Sequence, residues 1–220
     1  SVFDSRKNGG ADSITPLAGG FSWQQTLLAR PTPGVAFDFR IGYNTAVNSG
    51  ASAIGTLDPY VDPSLGTGWR QTFDARVLPD PNGVFSGEVR VIQWDGAIET
   101  WVLTNGVYRP RHQEYRGELT NSAPNVFEWT TPERLIYRFR PLSDGAALGG
   151  RLAEIRDLHG NHVLVNWDDN SGNISNVVDS AGGTFTFRYD GTRLTNVTFG
   201  QWQVNLVYDG TPRLISKSLT

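Results

Sequence analysis

The sequence predicts an all-β protein in which antiparallel sheets run into a ribbon of stacked β-hairpins. Three observations carry that reading. The 220 residues include 25 glycines and 12 prolines, with aromatics at 11% and charged residues at 19%, a balance that favours short strands and tight turns and excludes a helical bundle. Several short runs alternate apolar and polar residues with the period of a half-buried strand. After residue 148 the chain becomes self-similar, with a period of about 20 residues.

Taken in order, residues 1–20 are rich in Gly, Ser, Asp and Asn and read as an irregular N-terminal arm, with little structure expected before Phe21. Residues 21–148 read as an antiparallel β region. Val35, Phe37, Phe39, Ile41 and Tyr43 share one face of its clearest strand, opposite Ala36, Asp38, Arg40 and Gly42. A polar loop over 44–68 with two Asp-Pro pairs follows. Trp69, Gln71, Phe73, Ala75 and Val77 then alternate with Arg70, Thr72, Asp74 and Arg76, which predicts one strand. Further strands are expected at Val89–Trp94 and Ile98–Leu103, joined by Asp95-Gly96 as a two-residue turn. Another is expected at Leu135, Tyr137 and Phe139, backed by Arg134, Arg138 and Arg140.

Residues 149–220 carry the repeat. Arg151-Leu152, Asn173-Ile174, Arg193-Leu194 and Arg213-Leu214 align at spacings of 22, 20 and 20 residues. A second strand in each unit ends in an aromatic followed by aspartate: Trp167-Asp168, Tyr189-Asp190 and Tyr208-Asp209. Asp157 to Gly160 and Asp179 to Gly182 supply a D-x-x-G turn between the two strands. Each unit is therefore a hairpin. One hairpin of this length is marginal in water, whereas stacked copies bury one another's alternating apolar positions.

These motifs resemble the RHS, or YD-repeat, family, over residues 149–216 most closely. The stretch Gly66 to Asp74 and the later Asp95-Gly96 are similar to the segment that precedes the repeats in bacterial members. Trp167-Asp168 stands where the family has Tyr-Asp, and the final unit lacks its D-x-x-G turn. About three and a half units are present, and nothing is similar to the family's core-closing motif or its autoproteolytic aspartates. The resemblance implies a YD-type hairpin ribbon that in long members spirals into a hollow shell around a toxin or unfolded polypeptide. It also implies secretion or display at the cell surface, with other parts of the same parent polypeptide or a toxin cargo as partners.

Composition narrows the chemistry. A net charge of −3 and pI of about 5.6 leave no basic excess for phosphates, so nucleic acid is not an expected partner. The absence of cysteine excludes disulfides, thiolate metal sites and a cysteine nucleophile. Methionine is missing even at position 1, so a processed chain or fragment is expected. No apolar run approaches the ~18 residues that cross a bilayer, and no membrane insertion is expected.

No catalytic residue, metal ligand or cofactor is assigned. His159 and His162 have H-x-x-H spacing, but His159 fills a turn position and no third ligand follows. The run Asp168 to Asn173 lacks the glycine and distal glutamate of a calcium loop and reads as turn chemistry. No two carboxylates stand out as a pair, and no nucleophile elbow, phosphate loop or dinucleotide fingerprint occurs. Seven tryptophans are the one enrichment with functional potential, since flat rings stack on sugars. Trp69, Trp167 and Trp202 lie in phase with apolar neighbours and are expected in the core. Trp94 flanks a turn and Trp101 is out of phase with Ile98, so these two are candidates for an exposed sheet face. Arg134 and Arg138, with Arg140 on the same face, are the other ligand-binding candidates, for an acidic partner or a glycan.

The expected function is a non-catalytic structural or interaction module, a section of an RHS-type shell. The alternative is a carbohydrate-binding β module. If the ribbon is cut from a longer one, Trp202–Tyr208 is expected to be an unprotected edge.

Overall fold

The computed structural model describes residues 13–15, 20–32, 34–44, 64–66, 68–79, 87–112, 117–208 and 214–219. Its strands are antiparallel throughout and form three sheets. The first holds β1 (Ser13–Thr15), β2 (Gly20–Arg30), β3 (Phe37–Asn44) and β4 (Trp69–Gln71), in that order. Ser13–Thr15 pairs with Gly20–Ser22, so part of the expected irregular arm is a strand. The second sheet holds β5 (Arg76–Pro79), β6 (Val89–Ile92), β7 (Ile98–Thr104) and β8 (Val107–Pro110).

The third sheet is a ten-stranded meander. It opens with β9 (Glu118–Ala123), β10 (Val126–Thr130) and β11 (Ile136–Phe139). The repeat region adds β12 (Leu152–Arg156), β13 (His162–Trp167), β14 (Ile174–Asp179), β15 (Thr184–Asp190), β16 (Arg193–Phe199), β17 (Trp202–Tyr208) and β18 (Leu214–Leu219). Each strand pairs with its sequence neighbours, so the sheet passes through residue 149 without a break. A 3-10 turn at Leu142–Asp144 and a single helical turn at Gly145–Leu148 are the helical residues between β11 and β12.

The self-similarity of the sequence has a structural basis. In each unit the strand-ending aromatic sits opposite the first apolar residue of the next unit, directly after a register shift. Trp167 pairs with Ile174, Tyr189 with Leu194, and Tyr208 with Leu214. Phe139 pairs with Leu152 after the same shift, so the ladder begins one hairpin before the sequence signal. Phe139 is followed by Arg140 rather than by aspartate, which is why the aromatic-Asp motif first shows at the next unit.

The D-x-x-G turns are closed by their aspartates. Asp179 Oδ1 accepts the N–H groups of Ala181 (3.0 Å) and Gly183 (2.6 Å), and Gly182 takes φ of 81°. Asp157 repeats this with His159 (2.8 Å) and Asn161 (2.9 Å). The last unit replaces the motif by Gly200-Gln201, a two-residue turn with Gly200 at φ 59° between paired Phe199 and Trp202.

The Asp157 carboxyl is held below its ordinary pKa, first by the Asn161 side-chain amide and then by the backbone N–H groups of His159 and Asn161, with burial opposing. Its folded pKa is depressed, so its contribution to stability is present above the unfolded value and is lost as pH falls through the folded one. The stability gap between wild type and Asp157→Ala is therefore expected to close as pH drops from about 4 toward 2. Denaturant titrations across that range check it, and a gap constant down to pH 2 would mean that the carboxylate charge contributes nothing to the turn.

Two other expectations are corrected. The alternating run 69–77 is not one strand: a turn with Asp74 N–H donating to Gln71 O (3.0 Å) splits it, and β4 and β5 enter different sheets. Arg70, Gln71, Phe73, Asp74 and Ala75 are all buried there, so both faces of the run are covered. Asp95-Gly96 is not a two-residue turn either. Gly96 N–H donates to Gln93 O (3.0 Å) and Gln93 N–H to Ala97 O (2.8 Å), giving a wider turn with the glycine last, at φ 89°.

The core is continuous through all three sheets, and its aromatic part lies between the first sheet and the ribbon. Phe37 stacks on Phe185 at 4.4 Å and meets Phe199 edge-on at 5.9 Å, while Phe39 and Phe73 contact Phe187. Leu28, Val197, Val204 and Leu206 complete the layer. Burying a phenylalanine stabilises by roughly 1.5–3 kcal/mol, so this aromatic seam is a principal bond between the two sheets. Asp179, within 3.4 Å of Arg30 on β2, adds a polar tie at the same place. The second sheet joins through β5: Val77 N–H donates to Gly150 O (2.8 Å) and Leu152 N–H to Ala75 O (3.1 Å).

Strand β17 is not an edge. It lies between β16 and β18, its Val204 and Leu206 are buried, and the Tyr208 hydroxyl is within hydrogen-bond distance of Leu194 O (2.7 Å) and Ser64 O (3.1 Å), with one proton to share between them. The outer strand at this end of the described sheet is β18.

Candidate functional site

Trp101 lies within the protein. It is 1% exposed, on the face of β7 that also carries Glu99, whereas Ile98 faces outward at 40% exposure. Ile98 therefore misreports the phase of this strand, whose buried face is set by Glu99 and Trp101. A ring so covered presents no face to a ligand. Trp94 is half-buried, with the Arg40 guanidinium 5.5 Å from its ring centroid, and it packs near Gly42 of β3.

Around these residues the three sheets meet in a polar seam. Glu99 accepts a hydrogen bond from Gln93 Nε2 at 2.9 Å. The indole N–H groups of Trp101 and Trp129 lie near the same carboxyl, and both Nε1 atoms and Glu99 Oε2 are outside hydrogen-bond geometry with any partner among the described residues. Burial pushes the Glu99 carboxyl above its ordinary pKa, opposed by Gln93 and the two indoles. A proton-transfer group must come within hydrogen-bond reach of a substrate, and Glu99, 7% exposed, has an interior position. Tyr137, tilted against Trp129 at 5.1 Å, is likewise raised by burial. Asp38 pairs with Arg40 Nε at 2.6 Å along the same seam.

The arginines do not form one face. Arg134 is an exposed turn residue at φ 64°, its N–H donating to Thr131 O (2.9 Å), and lies outside β11. Arg138 is on β11, but a register shift after it separates it from Arg140. Its Nε is 3.8 Å from Glu128, which also accepts from Arg156 at 3.1 Å. Arg140 points to Asp144 (2.8 Å) and Asp169 (3.2 Å). Carboxylates thus neutralise the strand arginines, which weakens their pull on an acidic partner.

Among the described residues no group of three or more His, Cys, Asp or Glu side chains could hold a metal ion. His159 is exposed in its turn, and His162 Nδ1 lies 3.1 Å from Gly160 O. Asp168 spends its Oδ1 on the N–H groups of Asn170 (2.8 Å) and Ser171 (3.4 Å), the turn chemistry expected of that run. No helix among the described residues is long and apolar enough to cross a membrane.

One hollow opens where the repeat aromatics end their strands. Gln71, Arg151, Trp167, Asn173, Tyr189 and Thr192 line it, and its volume is about 80 Å³. Trp167, expected in the core, is half-buried here, and its indole N–H donates to Leu152 O at 2.8 Å. Sequence reasoning missed this hollow because its walls come from four separated segments.

Fold and site together define an all-β protein built from antiparallel hairpins. No protein-family model matches the chain, and no curated protein matches it.

Proposed function

We propose that the chain is a non-catalytic structural module that opens an RHS/YD-type hairpin shell, with the N-terminal sheet covering the apolar face of the second and third repeat hairpins. The observation that carries this reading is the ladder of Phe139, Trp167, Tyr189 and Tyr208, each set opposite Leu152, Ile174, Leu194 and Leu214 by the same register shift. Arrays of this kind grow by adding equivalent units, and their first units need a cap that covers apolar surface. Phe37, Phe39 and Phe73 supply such a cover for Phe185, Phe187 and Phe199. In this reading the partners are further hairpins of the parent polypeptide and, inside a completed shell, a toxin cargo. Secretion or surface display follows from the same resemblance. The carbohydrate-binding alternative draws no support from Trp101, which is buried, or from Trp94, whose ring packs under Arg40.

Repeat insertion tests the proposal. Residues 193–212 can be duplicated in frame after Pro212, because Arg213-Leu214 aligns with Arg193-Leu194 at a 20-residue spacing. An extensible wall is expected to accept the unit, keep one cooperative transition and raise its denaturant m-value by about a tenth, in proportion to added surface. Aggregation or loss of cooperativity on insertion would mark a closed domain and overturn the reading.

A further inference from the structure

The repeat carries a device of its own. Arg151, which opens the first aligned unit, places its guanidinium 4.7 Å from the ring centroid of Trp167, which ends the same hairpin. Arg193 opens the third unit and stands 5.7 Å over Tyr208 in the same relation. In the second unit the opening residue is Asn173, and the hairpin ends at Tyr189. The hollow lies at that unit, lined by both residues. An asparagine is three heavy atoms smaller than an arginine, so space filled by a guanidinium in the neighbouring units is left to solvent here.

The walls select the chemistry of an occupant. Arg151 is the charged side chain among them, and its charge is already engaged: Nε donates to Ala147 O at 2.7 Å, and Nη1 is 3.9 Å from Asp74. Such a site neither attracts an anion strongly nor welcomes a second cation. The remaining polar walls are neutral. Gln71, 2% exposed, accepts the Phe73 N–H on its Oε1 (2.9 Å) and is one of the residues that line the hollow. Asn173 donates Nδ2 weakly to Gly191 O at 3.4 Å, and Thr192 and Ser171 add hydroxyls. Trp167 and Tyr189 supply apolar wall. At about 80 Å³ the space holds several ordered waters at ~10–15 Å³ each, on the order of the number one hexose ring displaces.

We propose that this hollow is a binding site for a single neutral sugar ring, created where the second unit carries asparagine in place of the arginine of its neighbours. The ring's hydroxyls pair with the amides and hydroxyls, and its C–H face lies against the aromatic wall. The site is independent of the shell-opening role and stands whether or not the ribbon is extended.

Saturation-transfer NMR with the methyl glycosides of glucose, galactose, mannose and N-acetylglucosamine tests it on the intact chain. At least one glycoside is expected to receive saturation, with a Kd of about 1–10 mM, as for a small ligand with few anchoring atoms. Asn173→Arg is expected to fill the hollow and weaken binding at least about 10-fold while keeping a cooperative melt, since it restores the residue found in the neighbouring units. Asn173→Ala removes an amide and leaves the space, and is expected to weaken binding about 3-fold to 10-fold; it decides the matter if the arginine variant does not fold. Absence of transfer from all four glycosides overturns the proposal. So does binding that neither substitution changes.

Discussion

Phe185→Ala is expected to lower the unfolding free energy by about 3–5 kcal/mol, the range for removing a fully buried aromatic that leaves a cavity. Phe185 is 0% exposed and sits where both sheets converge, stacked on Phe37 at 4.4 Å and within 5.1 Å of Phe199 and 6.2 Å of Phe73. Thr186, next in the strand but on the outer face, is the control, and Thr186→Ala is expected within about 0.5 kcal/mol of wild type. Urea titrations of the three proteins measure both. A double-mutant cycle with Phe37→Ala is expected to give a coupling of about 0.5–1.5 kcal/mol, the part specific to the stacked pair. A loss below about 1 kcal/mol for Phe185→Ala would mean that the first sheet and the ribbon do not unfold as one unit.

Gly150→Ala is expected to cost about 3 kcal/mol or more. Gly150 has φ of 72°, a conformation that strains a residue with Cβ by roughly 1–2 kcal/mol. A Cβ there would also fall inside the van der Waals contact of the Val77 carbonyl oxygen, which is backbone and cannot turn aside. The displaced segment carries the hydrogen bond from Val77 N–H to Gly150 O (2.8 Å), one of the links between the second sheet and the ribbon. Gly160→Ala separates the two causes. Gly160 has φ of 89°, and a methyl group added there would meet nothing within 4 Å, so only the conformational cost of about 1–2 kcal/mol is expected. Equal melting temperatures for the two variants would show that the close approach at Val77 relaxes freely.

The hairpin ribbon was legible because its information is local. A D-x-x-G turn closes on the carboxylate of its own first residue, as Asp157 and Asp179 do, and alternation such as Phe185, Phe187, Tyr189 reports the face of one strand. The breaks in legibility have equally physical causes. Residues 69–77 alternate perfectly, yet both faces of the run are buried, so period two carries no instruction to continue as one strand. Trp101 and Glu99 share a covered face, and a buried glutamate inverts the phase that polarity alone suggests. Arg134 lies before the start of β11, where a positive φ of 64° places it in a turn, off the strand on which Arg138 remains.

The sequence by itself determined the all-β class, the antiparallel pairing of successive strands in the repeat region and the chemistry of most turns, since each depends on residues a few positions apart. It also held the substitution of Asn173 for arginine in the aligned units. Only the tertiary structure decided what covers the ribbon. Phe37, Phe39 and Phe73 meet Phe185 and Phe187 across more than a hundred positions of chain, and no periodicity encodes which of two apolar faces will pack on which. The hollow at Asn173 was decided in the same way, because an empty volume is a property of walls brought together from distant segments. A missing side chain becomes space only where the surrounding backbone is held too firmly by its own strand pairing to close over it.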